Sequence, residues 1–143
     1  MLTREQLLNA NFSEYMCNTQ LGFFKNLLNE MRAEICEDIR QCRSVLADND
    51  LEPDPIDSAT QEEIKQITML RVQRNTHMLH SIEKALERIF TKEYGYCEET
   101  GDPIGIRRLL ANPTATLCID SSQNAEFHQR VEGSNDDLDS NAA

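Results

Sequence analysis

Tryptophan is absent from this 143-residue chain, and only 6% of its residues are aromatic. Apolar residues make up 39%, below the usual share for globular domains, so a large compact core is not expected. No run of 18 apolar residues occurs, which excludes a transmembrane helix. The N-terminus "MLTREQLLNANFSEYMC" lacks the apolar stretch of a secretory signal. The five cysteines are odd in number and irregularly spaced, so they do not form a disulfide framework. Together these absences point to a cytoplasmic chain with reduced thiols and no membrane association. Positive charge is also scarce. The formal net charge is -11, the wrong sign for free nucleic-acid binding. A protein partner with a basic surface is the simpler expectation.

What the chain does have is helical periodicity. Residues 1–16 are a polar N-terminal segment of low signal with room for a short helix. From there Leu21, Phe24, Leu28, Met31, Ile35, Ile39, Cys42 and Leu46 recur every three or four residues, marking one face of a helix. Cys36 and Cys42 are read as packing residues of that helix. The pattern stops at "ADNDLEPDPID", where Pro53 and Pro55 forbid continuation. A second helix restarts at once, with Asp57, or Ser58 together with Gln61, as its cap. Its apolar stripe is read through Ile64, Ile67, Leu70, Met78, Ile82, Ala85, Leu86 and Ile89, interrupted by Arg71 and Arg74. Both stripes approach heptad spacing, so residues 17–92 are expected to form an antiparallel coiled-coil hairpin with its tip at about 49–57. An arm of roughly 30 residues would project about 45 Å.

Residues 93–131 differ in character. Gly95, Gly101, Pro103, Gly105 and Pro113 punctuate a small loop-rich module, followed by a final helix over about 119–131. The tail, 132–143, is acidic and apolar-poor and is expected to be disordered. The fold class is therefore mainly α: a long hairpin on a small globular module.

Two constellations carry chemical meaning. The first is the tip. Between Arg43 and Lys65 there is no Lys or Arg, and Asp54 and Asp57 stand three residues apart there. Asp at these places can simply cap a helix and begin a turn. The pair can also act as carboxylates carried to a distant site on a rigid arm, where they would meet Mg²⁺ or hydrogen-bond donors. No His, Ser or Cys constellation stands beside them, so a self-contained active site is not expected. The second is the module. Cys97 and Thr100, then Cys118 and Ser121, repeat the spacing of a four-cysteine zinc ribbon with two thiols missing. Alkyl hydroxyls are poor zinc ligands, so tight zinc is not expected. His128 lies at no diagnostic spacing, and His77 with His80 reads as helix surface. The ribbon shape would then be closed by hydrogen bonds and packing, and Cys97 with Cys118 could alternatively form a redox pair.

The whole arrangement resembles the DksA/TraR family of RNA polymerase-binding regulators. The residues that carry the likeness are "SEYMCNTQLGFFKNLL", "EPDPIDSATQEE", "IEKALERI" and "YGYCEETGDPIGIRRLLANPTATLCID". It is most similar to the zinc-independent members, whose finger keeps two cysteines. The resemblance implies a coiled coil that enters the secondary channel of bacterial RNA polymerase. There it would shorten the life of open promoter complexes without sequence-specific DNA contact, as in the stringent response. It implies a monomer with a D-x-x-D-x-A tip, matched by Asp54, Asp57 and Ala59, and polymerase contacts at Arg74 and Arg108. Family members that bind ppGpp at the polymerase interface use basic residues where this chain has Ser81, Asn112 and Ser122, so weak ppGpp synergy is expected. The rival functions are a transcript-cleavage stimulator in the same channel and a thiol redox switch through Cys97 and Cys118.

Overall fold

The computed structural model describes residues 2–48 and 55–139, with side chains described outside 55–57 and 131–139. Five α-helices follow in order: α1 Arg4–Leu8, α2 Asn18–Asp48, α3 Pro55–Thr91, α4 Ile106–Ala111 and α5 Ile119–Asp139. A single 3-10 turn at Phe12–Glu14 sits between the first two. Among the described residues there is no strand, only an isolated antiparallel bridge between Tyr96 and Pro103. The helices α2 and α3 pack along each other as the expected hairpin. At 31 and 37 residues they are about 46 and 55 Å long.

The base of the hairpin is where the molecule is held. Phe24, Leu28 and Ile82 are fully buried, and Ala85 nearly so. They join Leu7, Met16, Tyr94, Ile104, Leu109, Leu110 and Ala115 in one core. The N-terminal segment is thus part of the globular body despite its weak sequence signal. Thr3 caps α1 by a reciprocal box with Gln6, and Leu7 drops into the core. Tyr15 then ties the segment to the module: its hydroxyl donates to the Gly95 carbonyl at 2.6 Å and accepts from the Gly105 amide at 3.0 Å. The Met16 side chain lies so close to Gly95 that a Cβ there would come within 2.7 Å of it. With φ at +90° as well, that position admits glycine alone.

The end of α3 is a Schellman turn with lysine in place of the usual glycine. Lys92 takes φ +62°, while the Lys92 and Glu93 amides return to the carbonyls of Ile89 and Arg88. Arg88 reinforces the turn through the carbonyls of Glu93 and Tyr96.

Four expectations change. The helix α3 begins at Pro55, a residue suited to the first helical position, so neither Asp57 nor Ser58 is its cap. The helix α5 runs to Asp139, past the expected end near 131 and into the segment read as disordered; no proline interrupts that stretch, and Gly133 alone costs only about 1 kcal/mol. The largest change is in the face of α3. Ile64, Ile67, Leu70 and Met78, read as an inward stripe, are 43, 60, 65 and 41% exposed. The residues turned toward α2 are Gln61, Lys65, Thr68, Val72, Asn75 and Leu79, all half-buried. The cause is the base. Its buried residues fix the rotation of α3, and counting back from Ile82 and Leu86 in heptads gives that polar series. Cys36, read as a packing residue, is exposed, whereas Cys42 is buried.

Candidate functional site

The module brings the four ribbon positions together. Gly95 and Gly101, both at positive φ, turn the chain around Cys97, whose amide donates to the Asp102 carbonyl at 2.8 Å. Thr100 closes that turn by accepting from the Asp102 amide at 3.3 Å. The second half arrives from α4. Arg108 Nε holds the Leu117 carbonyl at 3.2 Å, and the Glu98 amide donates to the Thr116 carbonyl at 2.9 Å. Cys118 precedes α5, and Ser121 enters from its first turn.

The side chains then converge. Ser121 Oγ stands 3.7 Å from Cys97 Sγ and 3.4 Å from Cys118 Sγ, and Thr100 Oγ1 is 3.9 Å from Cys118 Sγ. Ligand sulfurs around a tetrahedral zinc at about 2.3 Å would be about 3.8 Å apart. The cage therefore has the dimensions of a zinc site and the donors of a hydrogen-bonded one. Two thiols and two alkyl hydroxyls do not fit structural zinc, which takes four ligands from Cys, His and carboxylates. Among the described residues no group of three or more His, Cys, Asp or Glu is placed to hold a metal. Ser121 is 4% exposed, so its hydroxyl, buried between two sulfurs, belongs to the interior.

Cys97 is the chemically distinctive member. The Cys118 backbone N–H, followed by the Thr100 hydroxyl, favours its ionised form and lowers its pKa to about 6, against the opposing effect of burial. Burial pushes the Tyr94 hydroxyl up, and that group donates to the Pro113 carbonyl at 2.7 Å.

The arm presents the other candidate surface. The exposed Ile64, Ile67, Leu70 and Met78 share the outer side of α3 with exposed Arg74. Ala59 is also exposed. Asp54 lies outside the described residues, and Asp57 is the third residue of α3 with its side chain outside them. Arg108 is half-buried and occupied with Leu117. Ser81 bonds back to the His77 carbonyl, Asn112 is exposed and accepts from Thr114, and the Ser122 amide donates to the Cys118 carbonyl. The sequence reading did not single out the outward apolar stripe as a surface. Its residues were visible, but apolar periodicity alone assigned them to the core.

Comparison with known proteins agrees with this architecture. Residues 20–89 match the DnaK suppressor protein DksA N-terminal domain, and residues 92–120 match the prokaryotic dksA/traR C4-type zinc finger. The chain belongs to the DksA/TraR family. It is 37% identical over 118 residues to the RNA polymerase-binding transcription factor DksA of Salmonella typhimurium, covering 82% of this chain and 78% of that one. The Escherichia coli K12 protein of the same name is 36% identical over the same share. The solved structure of transcription factor DksA2 from Pseudomonas aeruginosa superimposes with a TM-score of 0.82 at 38% identity, covering 89% of this chain and 98% of that one. Within the C4-type match only Cys97 and Cys118 are cysteines; Thr100 lies inside the match, and Ser121 lies one residue beyond its end.

Among the described residues no helix is long and apolar enough to cross a membrane.

Proposed function

We propose that this chain is a non-enzymatic transcription regulator. In this reading it binds bacterial RNA polymerase as a monomer in the cytoplasm, inserts its arm into the secondary channel and shortens the life of open promoter complexes. The observation that carries the reading is the outward apolar stripe of α3. Four large apolar side chains, Ile64, Ile67, Leu70 and Met78, face away from α2 beside Arg74. A helix hairpin that needed only to support itself would turn them inward. An exposed apolar stripe with arginines set into it fits a protein partner. The names of the relatives, RNA polymerase-binding transcription factors, supply the identity of that partner.

In this scheme the arm delivers Asp54, Asp57 and Ala59 to the catalytic region of the polymerase, Arg74 meets the channel wall, and no sequence-specific DNA contact is made. Arg108 contributes mainly by bracing the Leu117 carbonyl at 3.2 Å and so shaping the module. The test is open-complex lifetime on a ribosomal-type promoter with wild type and Asp57→Asn. Wild type should shorten the lifetime severalfold and Asp57→Asn should not; equal shortening by both overturns the role of the tip. Cleavage assays on stalled elongation complexes separate this function from cleavage stimulation.

The finger in this reading works without zinc. Support comes from the two hydroxyls standing where thiolates would be needed. Elemental analysis of purified protein should give far less than one zinc per chain, and a value near one overturns the proposal. Ser81, Asn112 and Ser122 lack positive charge, so ppGpp should add little to the effect. A synergy equal to that of a four-cysteine relative counts against this.

A redox reading has one observation in its favour: both sulfurs flank the same Ser121 hydroxyl, at 3.7 and 3.4 Å. Two-electron oxidation by a disulfide or peroxide would join Cys97 and Cys118 through a sulfur–sulfur bond, with loss of two protons and reduction of the oxidant. Mass spectrometry of oxidised protein decides whether that bond forms.

A further inference from the structure

The outer half of the arm poses a problem of register. Its α3 face toward α2 is Gln61, Lys65, Thr68, Val72 and Asn75, with a single large apolar residue among them. Apolar packing of that kind discriminates poorly between one alignment of two helices and another. Yet at one layer the helices are joined by a specific polar group. Asp38, at a heptad interface position of α2 between Ile35 and Cys42, is 26% exposed. Arg71 grips its carboxylate with two donors: Nε reaches Oδ2 at 2.9 Å, and Nη2 donates to Oδ1. From the next turn of α3, Asn75 Nδ2 donates to the same carboxylate. Three donors from two successive turns of one helix thus meet one carboxylate on the other.

We infer that Asp38 is a positioning residue. Through Arg71 and Asn75 it fixes the alignment of the outer parts of α2 and α3, and so where the far end of the arm presents its residues. The forked geometry is what distinguishes this cluster from an ordinary surface ion pair. A bidentate arginine–carboxylate contact specifies both distance and orientation. A polar group at one interface layer is also the best-attested device for setting helix register. The apolar core at the base, Phe24, Leu28, Ile82 and Ala85, lies two to three helical turns away; it sets the phase of α3, and the clamp holds the outer parts of the two helices together in that phase.

The inference rests on the proposed function only for its consequence at polymerase, not for the clamp itself. Hydrogen exchange by mass spectrometry on the full chain tests the clamp directly. Asp38→Ala should speed amide exchange about tenfold or more in residues 39–48 and 58–74, while 20–31 and 79–89 stay as in wild type. The exchanged pair Asp38→Arg with Arg71→Asp should recover most of the lost protection, which a change that merely weakens helix packing would not. Unchanged exchange, equal acceleration at base and arm, or no recovery in the exchanged pair overturns the inference. Open-complex lifetime is read on the same variants. If exchange responds as stated and lifetime does not, the clamp stands and the reading of the tip as effector fails. If exchange does not respond, the clamp falls whatever the lifetimes are.

Discussion

The two ends of the hairpin are built on opposite logic. At the base, Phe24, Leu28, Ile82 and Ala85 bury almost all of their surface and merge with the module and the N-terminal segment. In the outer half, α2 still offers Ile39 and Cys42 to the interface, but α3 answers with Thr68, Val72 and Asn75 and turns Ile64, Ile67 and Leu70 to solvent. Continuous helix crosses both halves, so the difference is not one of backbone. It lies in which face of α3 carries the apolar residues. Stability resides at the base, where the apolar face is inward. In the arm the apolar face is outward, where the proposed function places recognition, and a polar clamp does part of the work that packing does elsewhere.

Substituting one residue in each half separates the two roles, with the largest effect at the base. Leu28→Ala removes a fully buried side chain from the base and should cost about 3 kcal/mol, lowering the melting temperature by about 10 °C. Leu70→Glu changes a residue that is 65% exposed and should move stability by no more than about 0.5 kcal/mol. Polymerase affinity should reverse the order: Leu70→Glu should weaken binding by about tenfold or more, as loss of an apolar contact at an interface centre does. Urea unfolding and a direct polymerase-binding assay measure the two effects. Should Leu70→Glu unfold the protein as readily as Leu28→Ala does, the outward face is not outward in solution.

The same contrast explains what could be read from the sequence. The helix α2 was legible because its apolar residues form one stripe and all of it faces α3. The helix α3 carries two stripes, one apolar through Ile64, Ile67 and Leu70 and one largely polar through Gln61, Lys65, Thr68 and Asn75. Periodicity analysis assigns the apolar one to the interior, because it assumes that an apolar stripe packs within its own chain. Only the heptad phase set by Ile82 and Leu86 distinguishes them. The N-terminal segment was illegible for a different reason. Leu7, Tyr15 and Met16 reach the core singly, through a five-residue helix and a left-handed Met16 at φ 55°, and no period connects them. At the module, the spacing of Cys97, Thr100, Cys118 and Ser121 was enough to bring them together, since a ribbon turn fixes its ligand positions whatever their chemistry. The lowered pKa of Cys97 was not legible, because it depends on the Cys118 amide and the Thr100 hydroxyl arriving in space.

That ionisation gives the smallest of the expected effects, and it sharpens the comparison by confining a pH response to the base. In the folded chain Cys97 has its pKa lowered to about 6, whereas an unfolded thiol titrates near 8.5. The unfolded state therefore binds more protons between those values, and stability rises with pH across that window. The contribution is fully present above about pH 8.5 and is lost as pH falls through about 6. Urea midpoints of wild type should climb from pH 6 to 8.5, and the climb should flatten in Cys97→Ser, whose hydroxyl does not titrate there. Amide exchange, corrected for its intrinsic pH dependence, should place the response in residues 94–122 and leave the outer arm unaffected, because among the described residues the Cys97, Thr100, Cys118 and Ser121 side chains bond within the module. A pH response of equal size in 39–48 would mean that the arm and the module are coupled more tightly than the division between a packed base and a clamped arm allows.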